Sequence, residues 1–180
     1  MEDPMHTSKE IMAAGDIERS LDRLACQILE QIVDHDSIAL VGIQRRGADL
    51  AARLCTLLST RIKRATPCGE LDINLYRDDW TTTNATPNIN ATRIDFSVEG
   101  KTIILIDDVL FTGRTIRCAL EAILDFGRPK AVKLLVLVDR GHRELPIQAD
   151  FVGKTVATEH GQQVNVFLQE RDGLDQVVLS

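Results

Sequence analysis

Two adjacent carboxylates, Asp107 and Asp108, close a short apolar run, Lys101-Thr102-Ile103-Ile104-Leu105-Ile106. Val109-Leu110-Phe111-Thr112-Gly113-Arg114-Thr115 follows them. Thr112, Gly113, Arg114 and Thr115 stand where a helix is expected to begin. Backbone N–H groups in a first helical turn have no intrahelical partner, and the helix dipole favours an anion there. Gly113 allows close backbone approach and the two threonine hydroxyls add donors, the composition of a phosphate cradle. The carboxylates are acceptors one strand-end away. They suit the two hydroxyls of a ribose whose 5′-phosphate sits in the cradle. An isolated Thr-Gly-x-Thr would be a plain helix start; the nine-residue constellation after a buried strand is far more specific. Neither Gly-x-Gly-x-x-Gly nor Gly-x-x-x-x-Gly-Lys-Ser/Thr occurs, which argues against the commonest nucleotide-binding loops.

Three further groups could join this chemistry. Gln44-Arg45-Arg46-Gly47 breaks a second apolar run, and two cations with a glycine-allowed turn suit a pyrophosphate group. Standing alone, such an arginine pair would be ordinary surface. Arg77, Asp78 and Asp79 open a Thr- and Asn-rich stretch to about residue 92 that is nearly free of apolar residues, the pattern of a lid or a disordered loop. Trp80, the only tryptophan, lies in it. Asp139-Arg140-Gly141-His142-Arg143 ends a third apolar run without metal-ligand spacing; Arg140 ordering a pocket is a stronger reading than His142 as a base. His6, His35 and His160 are isolated.

The elements that must hold these groups are legible from periodicity. Ile17, Leu21, Leu24, Ala25, Ile28, Leu29 and Ile32 form one apolar helical stripe, with Asp16 as the expected N-cap. Ile38–Ile43 is a strand buried on both faces. A helix with Leu50, Leu54, Leu57 and Leu58 inward follows. The alternation in Leu71–Tyr76 predicts a half-exposed strand. The helix after the cradle runs to about Phe126 and stops at Gly127-Arg128-Pro129. Val132–Val138 is a third buried strand, and short strands are expected around Phe151-Val152, Val164–Leu168 and Val177–Leu179. Strands alternating with helices imply an α/β domain with a mostly parallel sheet, whose ligands bind beyond the carboxyl ends of the strands. The three polar turns lie on that one edge.

The run Ile103–Thr115 resembles the phosphoribosyl pyrophosphate (PRPP) signature of type I phosphoribosyltransferases. Val138-Asp139-Arg140-Gly141-His142-Arg143-Glu144-Leu145-Pro146-Ile147, Leu71–Asp79 and Val41–Gly47 resemble, in turn, the hood segment, loop-entry strand and pyrophosphate loop of the PyrR family. That family comprises pyrimidine-operon attenuation regulators that are also uracil phosphoribosyltransferases. The resemblance implies the type I phosphoribosyltransferase fold, a central parallel sheet flanked by helices with a small hood subdomain. It implies one domain over residues 1–180, with the hood drawn from the N-terminal segment and about 139–180. It also implies formation of UMP and pyrophosphate from uracil and PRPP, with Mg²⁺ carried by PRPP rather than held by a protein cage. Asp107, Asp108 and Arg46 would be catalytic, Arg45, Arg46 and Gly47 would take pyrophosphate, and Asp107–Thr115 the ribose 5′-phosphate. Arg77–Asp79 would form the lid, and Arg140, Val138 and Val152 the uracil pocket. A strained non-proline cis peptide is frequent in the pyrophosphate loop of related enzymes.

Composition sets outer bounds. The chain has 180 residues, 44% of them hydrophobic, and a formal net charge of -6. An acidic balance does not suggest a nucleic-acid coat, and RNA binding needs a basic face. RNA is nevertheless the partner of the competing reading, an attenuator that uses the nucleotide site as a sensor. Cys26, Gln148 and the segment around Glu159 are less basic than that reading expects, leaving Arg23, Lys154 and Arg61–Arg64. Weak or absent RNA binding is therefore expected. A purine- or orotate-using enzyme is a further alternative. Four scattered cysteines and the lack of a signal or membrane-spanning run fit the cytoplasm. The expected assembly is a homodimer or higher homo-oligomer.

Overall fold

The structure is a computed structural model and describes residues 8–74 and 92–180. Arg77, Asp78, Asp79 and Trp80 lie outside the described residues. In chain order the elements are β1 (Lys9–Ala13), α1 (Ala14–Gln31), β2 (Ile38–Ile43), α2 (Arg46–Ile62), β3 (Cys68–Leu71), β4 (Thr102–Leu110), α3 (Arg114–Leu124), β5 (Ala131–Asp139), β6 (Phe151–Thr155), β7 (Val164–Phe167), α4 (Gln169–Asp172) and β8 (Gln176–Leu179).

The continuously apolar runs become the inner strands of a five-stranded sheet in the order β3-β2-β4-β5-β6, parallel throughout. Both faces of this sheet are covered, which is why its central strands do not alternate apolar with polar. Leu40, Ile104 and Ile106 pack with Leu24, Ile28, Leu50 and Leu54 of α1 and α2. Their strand neighbours Ala39, Val41, Ile103 and Leu105 pack with Ile116, Ala119 and Ile123 of α3. The order in which strands are added reverses at β2: one connection leads through α2 outward to β3, while β4 pairs on the other side. A crevice opens at such a reversal, beyond the carboxyl ends of the strands. The remaining strands form a small antiparallel sheet, β1-β8-β7.

Several elements differ from their sequence reading. Asp107 and Asp108 belong to β4 rather than to a turn. Asp107 pairs with Val136, Val109 with Val138 and Leu110 with Asp139, so the ladder carries the strand to Leu110. β3 runs Cys68–Leu71, so Asp72–Asn74 of the expected Leu71–Tyr76 strand fall outside it, while residues 75 and 76 lie outside the described residues; β3 pairs with Leu40–Ile43 and stops where β2 stops. The Asp72 side chain then accepts the Asn74 N–H at 2.8 Å, a local turn that leaves the ladder. The N-cap of α1 is Ala13, not Asp16; Asp16 sits at the third helical position and accepts the Ala13 N–H at 3.0 Å. Leu57 is half-buried in α2, where Leu50, Leu54 and Leu58 are buried. β1 had no sequence signal of its own; its partner, β8, lies at the far end of the chain.

Candidate active site

Close packing of glycines sets the distance between the two loops that matter. A Cβ on Gly42 of β2 would overlap the Gly47 carbonyl and Ala48 of α2, and one on Gly47 would overlap the Ile106 carbonyl of β4. The start of α2 therefore rests directly on the backbone of β2 and β4. That contact places Arg45 and Arg46 beside the Asp107 end of β4. The result is a polar cleft of 470 Å³ lined by Ile43–Arg46, Asp72–Asn74, Asp107–Val109 and Thr115. A wider groove of 1020 Å³ runs between α1 and α2, and it lacks both acidic-pair carboxylates.

On one wall the Gln44–Arg45 peptide bond is cis. The Gln44 N–H donates to the Leu71 carbonyl at 2.9 Å and its side chain to Glu70 at 3.1 Å. Arg46 Nη2 donates to Asp172 Oδ1 at 3.1 Å, and its Nε is buried with no hydrogen-bond partner among the described residues. On the facing wall Asp107 is buried and Asp108 half-buried. Each accepts the next residue's N–H at 2.9 Å. Burial pushes the Asp107 carboxyl well above its ordinary value, and the neighbouring Asp108 charge adds to that. An acid stripped of water and short of donors is ready to accept hydrogen bonds from a polyol. Asp72 completes the cleft, with Oδ2 buried and unpartnered among the described residues.

The turn after β4 is confined to Phe111–Gly113, and α3 starts at Arg114. Gly113 has φ +92°, and a Cβ there would sit 3.3 Å from Ile147. The glycine is thus required by backbone conformation and by packing against the 140s segment, in addition to any approach by a ligand. That segment braces the turn. The Glu144 N–H donates to the Thr112 carbonyl at 2.9 Å, and Arg114 Nε to the Glu144 carboxylate at 2.6 Å. Arg143 does most of the bracing: it donates to the carbonyls of Ile147 (3.0 Å), Phe111 (2.9 Å), Gly141 (3.2 Å) and Leu110 (3.4 Å) and pairs with Asp139. Burial raises the Asp139 pKa, but the Arg143 pair and the Gly141 N–H outweigh it and hold the carboxyl low.

Sequence reasoning singled out Arg143 only as part of a motif, because backbone carbonyls from three separate stretches leave no trace in residue types. Arg143→Ala is expected to cost about 1–3 kcal/mol, since it strips several partly buried acceptors at once. Asp139 has a depressed folded pKa, so its contribution is present above the ordinary carboxylate value and lost as pH falls through the folded value. Denaturant melts should show the variant's deficit at pH 7 shrinking towards pH 3.

At the end of β5, Arg140 is buried with its Cζ 4.0 Å from the Phe111 ring centroid. Its Nε has no partner among the described residues. His142 stacks loosely on His160, with centroids 4.7 Å apart, and its Nε2 donates to the Thr158 carbonyl at 2.7 Å. Val138 is fully buried in the core cluster that also holds α1 and α2 residues, while Val152 packs against the other cluster. The cleft brings together Arg45, Arg46, Asp107, Asp108, Val109 and Thr115; Arg140, Val138 and Val152 are not among its lining residues. Gly47 supports it from behind. Among the described residues no group of three or more His, Cys, Asp or Glu is placed to hold a metal ion, and no helix is long and apolar enough to cross a membrane.

A doubly covered parallel sheet with this cleft at its reversal point matches one family. The profile described as Phosphoribosyl transferase domain covers residues 7–169, and the chain belongs to that family. Its relatives narrow the assignment to the PyrR branch. It is 52% identical over 172 residues to the Bifunctional protein PyrR of Syntrophobacter fumaroxidans, covering 96% of this chain and 92% of that one. Identity to the Bifunctional protein PyrR of Pelotomaculum thermopropionicum is 51% over 170 residues, with 94% of each chain covered. In solved structures the fold is shared with the hypoxanthine phosphoribosyltransferase of Trypanosoma cruzi, at TM-score 0.72 and 16% identity, covering 95% of both chains.

Proposed function

We propose that this protein transfers the phosphoribosyl group of PRPP to uracil, forming UMP and pyrophosphate, in the cleft between Gln44–Gly47 and Asp107–Thr115. The observation that carries the reading is the opposition of an arginine turn and a buried acidic pair across one polar cleft, with a helix start beside them. The backbone N–H groups and hydroxyls of Thr112–Thr115 suit the 5′-phosphate. Asp107 and Asp108 accept from the ribose hydroxyls, and Arg45 and Arg46 face the pyrophosphate. Arg140, buried at the end of β5 over the Phe111 ring, marks the base side.

The C1–O bond of PRPP breaks ahead of attack, and the electron pair leaves with pyrophosphate. Uracil N1 then bonds to C1, and its proton passes to solvent or to the leaving group. Little covalent work falls to the protein, whose task is positioning and charge stabilisation. The acidic pair lies where positive charge develops on the ring. Mg²⁺ would arrive on PRPP, held by phosphate oxygens and water, with Asp72, Asp107 and Asp108 lining the cleft around it rather than forming a cage. Such an ion neutralises charge on the pyrophosphate. A cytoplasmic setting belongs to the same proposal; the four cysteines are free thiols.

The test is a panel of uracil, orotate, hypoxanthine and guanine, each with PRPP and Mg²⁺. UMP formation is expected to exceed every other product by at least about 10²-fold, the discrimination available to a pocket that hydrogen-bonds its base. Preferential use of a purine or of orotate would overturn the uracil assignment.

RNA binding is the second reading, because the resemblance extends to a family of attenuators. Four of the residual basic residues already have partners, while Lys63 is exposed. Arg23 donates to the carbonyls of Val152 and Gly153, Lys154 to that of Ile11, Arg61 pairs with Asp22 and Arg64 with Asp36. Cys26 is exposed and uncharged. We therefore infer weak RNA binding. Submicromolar, UMP-enhanced retention of a leader RNA from the organism's own pyrimidine genes would contradict it.

A further inference from the structure

We propose that the short C-terminal helix is a positioning element for the cleft, with Asp172 aiming the Arg46 guanidinium and Arg171 fixing the turn that carries it. The proposal rests on reading Arg45–Gly47 as the pyrophosphate side of the cleft.

Four arginine–carboxylate pairs join this segment to α2. Arg53 donates to both oxygens of Glu170, at 2.7 and 2.6 Å, and to both of Asp175, at 2.8 and 2.7 Å. Arg171 pairs with Asp49 in the first turn of α2 and donates to the Arg45 carbonyl at 3.3 Å. Asp172 holds Arg46 through Nη2 alone, with Oδ1 at 3.1 Å and Oδ2 at 3.3 Å. Of the three α2 residues in these pairs, only Arg46 lines the polar cleft.

The holder is itself held. Asp172 Oδ2 accepts the Leu168 N–H at 2.8 Å, and Gly173 ends the helix at φ +75°. The Leu168 N–H, and then Arg46, keep the Asp172 carboxyl below its usual range, so it stays ionised. Leu168 is fully buried in the core, which ties the carboxylate to the body of the fold. An unrestrained arginine samples many rotamers, and fixing one end removes that freedom before a ligand arrives. Nε is buried without a partner among the described residues, so the second terminal nitrogen is the donor left to a ligand. A carboxylate so close also weakens the cation's pull on an anion. Geometry decides between the two effects: contact through one terminal nitrogen aims the fork without occupying it.

The test uses the full chain and inorganic pyrophosphate with Mg²⁺, titrated calorimetrically. Arg46→Ala is expected to weaken pyrophosphate binding roughly 30-fold and Asp172→Ala about tenfold, with Asp172→Glu recovering part of the loss. In the Arg46→Ala background Asp172→Ala should add nothing, because the two act through one group. UMP binding should change less than about twofold in Asp172→Ala. Arg53→Ala, which frees the same segment elsewhere, should lower the melting temperature and leave pyrophosphate affinity within about twofold. Asp172→Asn keeps an oxygen for the Leu168 N–H and substitutes for the alanine variant if that does not fold. Unchanged or tighter pyrophosphate binding in the Asp172 variants, with Arg46→Ala weakened, overturns the positioning role alone. Additive losses in the double variant do the same. Unchanged binding in Arg46→Ala overturns the reading of the cleft itself.

Discussion

Replacing Asp107 and Asp108 with asparagine is expected to lower turnover by about 10²-fold or more while raising the melting temperature of the free protein. The two effects have one cause. Asp107 is 7% exposed, and burial pushes its carboxyl well above the ordinary value. A carboxyl whose folded pKa is raised favours the folded state in its protonated form. That contribution is present below the ordinary value and is lost as pH rises through the folded value. Wild-type protein should therefore lose stability on the way from pH 4 towards neutrality by an amount that Asp107→Asn does not lose. Each kcal/mol recovered moves the melting point of a chain this size by about 2–4 °C. Turnover moves the other way, because amides accept more weakly from the ribose hydroxyls and bring no negative charge to the developing cation. Thermal melts across pH and steady-state rates on the same samples check both. A double variant with near-normal turnover would remove the ribose role from this pair. A lower melting point would show that the burial term does not dominate.

Gly47→Ala is expected to cost both stability and activity, although it adds one methyl group outside the lining of the cleft. That methyl would overlap the Ile106 carbonyl, an atom of the central strand that cannot swing aside as a side chain can. Overpacking of this kind costs about 1–3 kcal/mol, equivalent to a fall of roughly 2–12 °C in melting temperature. The start of α2 must retreat from β4 to relieve the contact, and Arg45 and Arg46 retreat with it. A displacement near 1 Å at a positioned cation is enough for about a 10²-fold loss in turnover. Substituting Gly161, whose Cβ would meet nothing within 4 Å, is the matched control and should leave both quantities unchanged. Equal behaviour of the two variants would mean that the glycine contact does not set the spacing of the loops.

The parts of the molecule legible in the sequence are those encoded locally. Ile38–Ile43 and Val132–Val138 read as strands because a sheet covered on both faces needs unbroken apolar runs. The Asp107–Thr115 constellation reads as a site because helix starts and paired carboxylates carry their chemistry in adjacent residues. What stayed hidden depends on partners far away in the chain. Arg46 meets Asp172 across 126 positions, and β1 pairs with β8 across nearly the whole length. Asp107 and Asp108 have the residue types of a turn, yet pairing with β5 draws that stretch of chain into the sheet. Gly47 showed its turn chemistry in sequence but not its contact with β4, since a missing Cβ matters only once a second backbone lies against it. Arg143 was legible only as a member of its motif, because its carbonyl partners have no residue identity.

The most direct measurement is a crystal structure of the full chain with PRPP and Mg²⁺ bound in the absence of a base. The 5′-phosphate is expected against the backbone of Thr112–Thr115, both ribose hydroxyls on Asp107 and Asp108, and the pyrophosphate against Arg45 and Arg46. PRPP seated instead in the groove between α1 and α2, or with its ribose turned away from the acidic pair, would contradict the assignment of this cleft.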